Sequence, residues 1–238
     1  MIYNIHNLNI DRSYLAPSIL SANFCNLEYD IKEVLNNEIK ILHIDVMDGN
    51  FVKNISIGQP LIKSIRKLSN NIIFDVHLMI NNPIRHIESM IEVGANHITF
   101  HYEVMKNKND MNDILKEIQK YKNISFGIAI NPETNPDVLY KYLDNFNMIV
   151  IMSVHPGFGG QKFIEHSENK ISIIKKNIQN IKKNIYIQVD GGINLDNISK
   201  ISQMNVNVLV VGTDIFRNKI GVNMAIKKLN NSIITSIK

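Results

Sequence analysis

Short apolar runs rich in β-branched residues alternate along the chain with segments whose apolar positions recur at helical spacing. Runs of this length predict strands, and the segments between them predict helices. The predicted strands cover residues 14–20, 41–47, 72–80, 97–101, 125–130, 148–154, 185–190 and 208–212. Eight strand–helix units with no linker between them predict one α/β domain, a single (β/α)8 TIM barrel.

The segments between the strands carry helix signals. Pro60 and Pro83 lie where the first turn of a helix accepts proline, and Gly94 lies where a helix ends. The other predicted helices cover residues 28–37, 113–121, 137–143, 172–181, 197–203 and 222–237. A doubly wound open sheet is the alternative fold, but it would need a G-x-G-x-x-G fingerprint after the first strand, where the sequence has none.

The predicted organisation is a short N-terminal extension, residues 1–13, followed by one catalytic barrel, residues 14–238. The extension is polar and lacks the apolar stretch of a signal peptide, and no apolar run reaches the ~18 residues of a membrane span. Cys25 is the only cysteine, which fits a reducing compartment, so we expect a cytoplasmic protein with no membrane partner.

Charge changes this picture little. The net charge is +4, and the lysines are scattered over predicted helices without interleaved aromatic residues, so nucleic-acid binding is not expected. The positive balance favours anionic substrates.

Candidate chemistry lies on predicted strands two and three. Every second residue of a strand points to the same face, so His43, Asp45 and Met47 share one face, as do His77 and Met79. Two imidazoles and a carboxylate converging with methionines are unusual for core packing. They indicate a metal site with a carboxylate base.

A fourth ligand, Asp190, ends predicted strand seven. In a barrel of this type the active site lies at the carboxyl ends of the strands, where His43, Asp45, His77 and Asp190 all fall. Such a set suits Zn²⁺, Mn²⁺, Co²⁺ or Fe²⁺. Each histidine alone could be an ordinary core residue, but four buried ionisable groups require pairing or a metal.

Two further expectations concern the surroundings of this site. Asp75 shares the parity of His77 one layer deeper, so we expect it to orient His77 or to bond the backbone. Three methionines are expected to form an apolar, polarizable lid over the site: Met47, Met79 and Met152.

Glycine clusters follow the last three predicted strands. The sequence His-Pro-Gly-Phe-Gly-Gly-Gln occupies residues 155–161, Asp-Gly-Gly occupies 190–192, and Gly-Thr occupies 212–213. Loops after strands seven and eight of such barrels often hold phosphate, and glycine lets backbone N–H groups approach an anion. Three adjacent clusters predict a phosphate site.

Together these segments resemble the ribulose-phosphate 3-epimerase family. The resemblance is carried by Ala-Pro-Ser-Ile-Leu-Ser-Ala at 16–22, His-Ile-Asp-Val-Met-Asp-Gly at 43–49, Asp-Val-His-Leu-Met at 75–79, the 155–161 segment and Val-Asp-Gly-Gly-Ile at 189–193. It implies a barrel of the ribulose-phosphate-binding type that interconverts D-ribulose 5-phosphate and D-xylulose 5-phosphate, in the pentose phosphate pathway.

The resemblance also implies residue roles. It makes Asp45 and Asp190 the acid/base pair, and makes them metal ligands together with His43 and His77. The resemblance implies one divalent metal per subunit, with zinc placed before iron, manganese or cobalt. It also implies a homo-oligomer, either a dimer or a hexamer. The implied contacts to the phosphorylated ketopentose are Ser18, His77, Gly157, Phe158, Gly159, Gly160, Gly191, Gly192, Gly212 and Thr213.

The chain departs from the family pattern in three places. Asn50 and Lys53 replace the usual His and Pro after strand two, and Thr213 replaces Ser while keeping the hydroxyl. Competing hypotheses are an epimerase of a six-carbon ketose phosphate such as allulose 6-phosphate, a metal-free decarboxylating or cyclising barrel, and a non-catalytic binding barrel. The metal-free enzymes usually carry a lysine among the inner strand ends, and none pairs with Asp45 in this sequence.

Overall fold

A computed structural model describes residues 4–105, 108–179 and 181–233 of the chain. Its sheet consists of β1 (Tyr14–Pro17), β2 (Ile41–Met47), β3 (Ile73–Met79), β4 (His97–His101), β5 (Ser125–Ile130), β6 (Met148–Met152), β7 (Tyr186–Asp190) and β8 (Val208–Val211). All eight agree with the predicted strands to within three residues. Predicted strand one stops early because residues Ile19–Ser21 turn into a 3-10 helix.

The strands form a nearly closed parallel barrel, and the predicted fold class is confirmed. Each strand pairs with its sequence neighbour from β2 to β8, and β8 returns to pair with β1. A single parallel bridge between Ser18 and His43 joins β1 to β2. The carboxyl ends of all eight strands therefore meet at one mouth.

Eight α-helices surround the barrel. They are α1 (Leu27–Leu35), α2 (Gln59–Arg66), α3 (Ile87–Glu92), α4 (Lys108–Ile118), α5 (Ser167–Ile178), α6 (Ile198–Gln203), α7 (Thr213–Phe216) and α8 (Val222–Ser232), all within the described part of the chain. None of the helices described is long and apolar enough to span a bilayer. Position 180 and positions 234–237, which fall in two of the predicted helices, lie outside the described residues.

Three helical predictions need correction. Helix α5 begins at Ser167, five residues before its predicted start. Residues 137–143 belong to a 3-10 helix, Pro136–Asn145, and not to an α-helix. Helix α4 begins at Lys108, five residues before its predicted start, because Met111 joins Ile114 and Ile118 on one buried face.

The apolar core has two main parts. Outward-facing strand residues such as Ile44 and Val76 pack against the helices. Inward-facing residues at the amino ends of the strands form a second cluster, which Ile5 and Leu8 of the N-terminal segment complete. The Tyr186 hydroxyl donates a hydrogen bond of 2.8 Å to the Leu8 carbonyl, so this segment closes the lower end of the barrel.

Candidate active site

Strand register brings the predicted ligands of β2 and β3 side by side at the mouth. Asp45 pairs with His77, and His43 pairs with Asp75 one step below. All four side chains point into the barrel and are buried. Asp190 ends β7 and reaches the same point from across the barrel.

Imidazole nitrogens and carboxylate oxygens alternate around one small space. His43 Nε2 lies 3.2 Å from Asp45 Oδ1 and 3.4 Å from Asp190 Oδ2. His77 Nδ1 lies 3.2 and 3.3 Å from the same two oxygens. All four atoms lie within 4.8 Å of one another.

This donor set fits a divalent metal. Atoms spaced in this way can share one ion at the ~2.0–2.2 Å that imidazole and carboxylate ligands adopt, and the set contains no sulfur. The four residues are at most 9% exposed, so their charges require a compensating partner. A buried group of metal-binding side chains is therefore present, and their assignment as ligands remains a proposal.

Electrostatics alone hold the same groups in an ion-pair network. Burial disfavours the imidazolium of His77, but the carboxylates of Asp190 and Asp45 overcome this and raise its pKa to about 8. The same carboxylates, with Asp75, raise the pKa of His43 well above its ordinary value. Burial opposes ionisation of Asp45 too, yet the two imidazoles hold its pKa far below normal.

Asp75 supports His43, and the expectation that it orients His77 is wrong. Its Oδ2 lies 2.7 Å from His43 Nδ1, the ring nitrogen that faces away from the cluster. Asp75 contacts His43 and not His77 because His43 and Asp75 are directly paired in the register of β2 and β3. The carboxylate accepts the Nδ1 proton and leaves the Nε2 lone pair pointing at the cluster.

His101 and Glu103 were missed in the sequence. His101 Nε2 lies 2.8 Å from His77 Nε2, and His101 Nδ1 lies 3.2 Å from Glu103 Oε2. The sequence signal was available, since His97, Thr99 and His101 share one strand parity, as the metal-binding residues of β2 do. Burial lowers the pKa of His101, although Glu103 acts in the opposite direction.

An open cleft of about 300 Å³ lies directly above the cluster. Ser18, Asp45 and Asp190 form part of its floor. His43 and His77 do not line it and are fully buried beneath it, so the arrangement gives no support to the predicted contact between His77 and substrate. The remaining predicted residues that line the cleft are Met47, Met79, Met152, Gly157, Phe158, Gly159, Gly160, Gly191, Gly192, Gly212 and Thr213.

The three glycine clusters meet on one side of this cleft. Gly191 and Gly192 have φ angles of +118° and +66°, which glycine adopts without strain, and a side chain at Gly192 would collide with the backbone of Phe163. Thr213 begins the short helix α7 directly after Gly212. Glycine is therefore required at positions 191 and 192, by the backbone conformation and by close packing against Val154 and Phe163.

Methionines line the other wall of the cleft. Met47 and Met79 are paired in register and pack with Val52, while Leu20 and Phe51 flank them. Met152 lies opposite, at the end of β6 and beside Asp190 in register. All three methionines line the cleft, and their role as a lid stays a prediction.

Ser21 lines the cleft, and Asn54 and Ser153 contact its glycine loops; none of the three was predicted as a site residue from the sequence. Ser21 places its hydroxyl oxygen 3.4 Å from that of Thr213, and Asn54 donates a hydrogen bond of 3.0 Å to the Gly157 carbonyl from outside the cleft. Ser153 donates to the Asp190 and Gly191 carbonyls at 3.0 and 2.6 Å. These bonds tie the glycine loops to segments that follow strands β1, β2 and β6.

Comparisons with known proteins identify the family to which the chain belongs. The model of the ribulose-phosphate 3 epimerase family matches residues 14–216. A ribulose-phosphate 3-epimerase from Buchnera aphidicola subsp. Baizongia pistaciae is 39% identical over 219 residues, covering 91% of this chain and 94% of the relative. Another from Eremothecium gossypii is 37% identical over 212 residues, with 85% of each protein covered.

Solved structures of lower identity support the fold. KGPDC from Streptococcus mutans superposes with a TM-score of 0.68 at 15% identity, covering 93% of this chain and 97% of that one. At this identity the similarity shows a shared barrel architecture and carries no argument about activity.

Proposed function

Because this chain belongs to the ribulose-phosphate 3-epimerase family, we propose that it interconverts D-ribulose 5-phosphate and D-xylulose 5-phosphate by inversion at C3. One observation carries the proposal: two buried carboxylates, Asp45 and Asp190, reach a metal-binding cluster from separate strands at the floor of a cleft. The rest of the cleft suits a phosphorylated sugar.

Inversion requires a proton to leave one face of C3 and another to arrive on the opposite face. A single base tends to return the proton to the face it came from, so two acid/base groups are needed. We assign these roles to Asp45 on β2 and Asp190 on β7, one ionised and one protonated, with the roles exchanged in the reverse reaction. The C3 proton is acidic enough for this chemistry because it lies next to the C2 ketone.

Ser18 holds Asp45 in place. Its hydroxyl donates a hydrogen bond of 2.7 Å to Asp45 Oδ2, while Oδ1 faces the two imidazoles. Each carboxylate oxygen of Asp45 therefore has its own partners, and these contacts fix the plane of the carboxylate. Rigid placement of a base lowers the entropic cost of proton transfer.

His43, Asp45, His77 and Asp190 would hold the divalent cation. Bound there, the cation would supply positive charge that stabilises the negative charge developing on the substrate, by several kcal/mol. The methionine wall excludes water from one side of the cleft and so strengthens every charge interaction inside it.

The glycine side of the cleft would hold the phosphate. Gly191, Gly192 and Gly212 line this side of the cleft and carry no side chains, so backbone N–H groups there can approach an anion, and Thr213 offers a hydroxyl. Anchoring the phosphate there places the sugar carbons toward the floor, where Asp45 and Asp190 lie. Binding energy from the remote phosphate then helps to position C3.

Incubation with D-ribulose 5-phosphate in D₂O tests the proposal. We expect D-xylulose 5-phosphate carrying deuterium at C3, detected by NMR, with allulose 6-phosphate converted more slowly. The matched control is Asp190→Asn, with metal content measured in both proteins. Metal-loaded protein that leaves ribulose 5-phosphate unchanged, or that prefers the six-carbon substrate, contradicts the proposal.

Three finer expectations belong to this proposal and stay predictions. Zinc is expected ahead of iron, manganese or cobalt because the donor set mixes imidazole and carboxylate. Assembly as a homo-oligomer and residence in the cytoplasm complete the set.

A further inference from the structure

His77 is fully buried, and both of its ring nitrogens face polar partners. Nδ1 faces the oxygens of Asp45 and Asp190, and Nε2 lies 2.8 Å from Nε2 of His101. At that distance the two Nε2 atoms share one proton, since two lone pairs or two N–H groups would repel each other. Which ring carries it decides whether His77 can bind a metal through Nδ1.

Glu103 settles the position of that proton. Its Oε2 lies 3.2 Å from His101 Nδ1, and an ionised carboxylate only accepts hydrogen bonds. His101 therefore carries its proton on Nδ1 and has a lone pair on Nε2. His77 must then donate its Nε2 proton to His101, so Nδ1 is the nitrogen that faces the cluster and that would bind a cation in place of its own proton.

The other oxygen of Glu103 is occupied as well. Oε1 accepts the Asn131 backbone N–H at 2.7 Å and the Thr134 hydroxyl. Both donors come from the loop after β5, so the carboxylate cannot rotate without losing them. Phe51 packs on the His101 ring with centroids 4.7 Å apart, which restricts the ring further.

We propose that His101 and Glu103 are positioning residues that fix the His77 tautomer and so set the affinity of the cluster for a divalent cation. This inference rests on the proposed metal-dependent function. In this assignment His77 is supported by His101 and, through it, by the Glu103 carboxylate. His43 is supported in the same way by the Asp75 carboxylate directly.

Glu103→Gln tests this assignment through metal binding. The Gln carbonyl should stay with Asn131 and Thr134, which leaves its NH₂ group facing His101 Nδ1. Two donors then meet, so His101 must move its proton to Nε2, and His77 must move its own to Nδ1. We expect affinity for Zn²⁺ and Co²⁺, measured by chelator competition, to fall by about 10- to 100-fold.

Lys170→Met is the matched control. The Lys170 ammonium donates to the Asn131 and Thr134 carbonyls, so its loss loosens the same loop without touching His101. We expect its metal affinity to remain within about threefold of the unmodified protein, even if its Tm falls, because the protons on His77 and His101 stay where they are. Glu103→Asp, which keeps an acceptor, should recover part of the affinity.

The outcomes separate the two levels of inference. Unmodified protein that binds metal while Glu103→Gln binds equally well overturns the positioning role and leaves the proposed function standing. Equal losses in Glu103→Gln and Lys170→Met also overturn it, since they indicate general loosening. Unmodified protein that binds neither ion overturns both.

Discussion

At the amino ends of the strands, the barrel interior is filled by apolar side chains, including Ile41, Ile73 and Val208, which Ile5 and Leu8 seal from below. At the carboxyl ends, the same strands place histidines and carboxylates in the interior. The difference separates two tasks that one core cannot perform together. Apolar burial stabilises the barrel, and the buried ionisable groups need that stability in order to persist.

A polar layer lies between these two ends. His97 contacts the hydroxyls of Ser125 and Thr99 at 2.8 and 3.2 Å, level with the His43–Asp75 pair. Burial lowers the pKa of His97 to about 4, so it is neutral at pH 7. This layer supports the mouth without joining the metal-binding cluster.

The largest expected effect is at the mouth. Asp45→Asn or Asp190→Asn removes proton capacity and keeps the size, so kcat should fall at least ~10²-fold. Stability should change much less, because the remaining carboxylate still faces both imidazoles. Steady-state kinetics, with metal content checked in each variant, measure the loss. Two metal-loaded variants with unchanged kcat would contradict the two-base assignment.

The next effect is at the opposite end. Ile5→Ala opens a cavity under a closed core and should lower the free energy of unfolding by about 3 kcal/mol. Because Ile5 is far along the barrel axis from the mouth, kcat should not change. Urea unfolding measures the loss, and Ile55→Ala, at a position 75% exposed, is the matched control. A stability loss no larger than that of the control means that the N-terminal segment contributes nothing to the core.

The middle layer predicts a smaller, pH-dependent effect. The folded pKa of His97 is about 4, below the unfolded value of 6.5, so the unfolded chain binds an extra proton between those pH values. Stability from this group is therefore lost as pH falls through that window. Between pH 7 and 5 the unmodified protein should lose roughly 2 kcal/mol more than His97→Gln. Parallel stability–pH curves for the two proteins would show that His97 does not titrate in this way.

The smallest expected effect concerns the rim. Thr213→Val removes one hydroxyl but keeps the backbone N–H, so KM should rise about fivefold with little change in kcat, as loss of one hydrogen bond of ~1 kcal/mol predicts. Thr213→Ser keeps the hydroxyl and should retain the original KM. If Thr213→Val matches Thr213→Ser, the hydroxyl does not contact the substrate.

Much of the mouth was predictable because strand parity and strand ends are local properties. His43 and Asp45 lie two residues apart on one strand, and an alternating pattern assigns them to one face whatever surrounds them. Asp190 was added by its position at the end of predicted strand seven, since strand ends meet at one mouth of a barrel, and the family motifs agreed. Neither source specified the atoms in contact, and Asp75 was accordingly assigned to the wrong histidine.

The eight strands, the parallel barrel, the family and the four residues that converge at the mouth all follow from the amino-acid sequence alone. The contacts that link His77 to His101 and His101 to Glu103 are seen only in the folded structure. The same holds for the closure of the lower end of the barrel by Ile5 and Leu8. The physical reason is that strand identity follows from side-chain periodicity within a few residues. Contacts between separate strands depend on register and on closure of the barrel, which fix distances of a few ångströms between residues far apart in the chain.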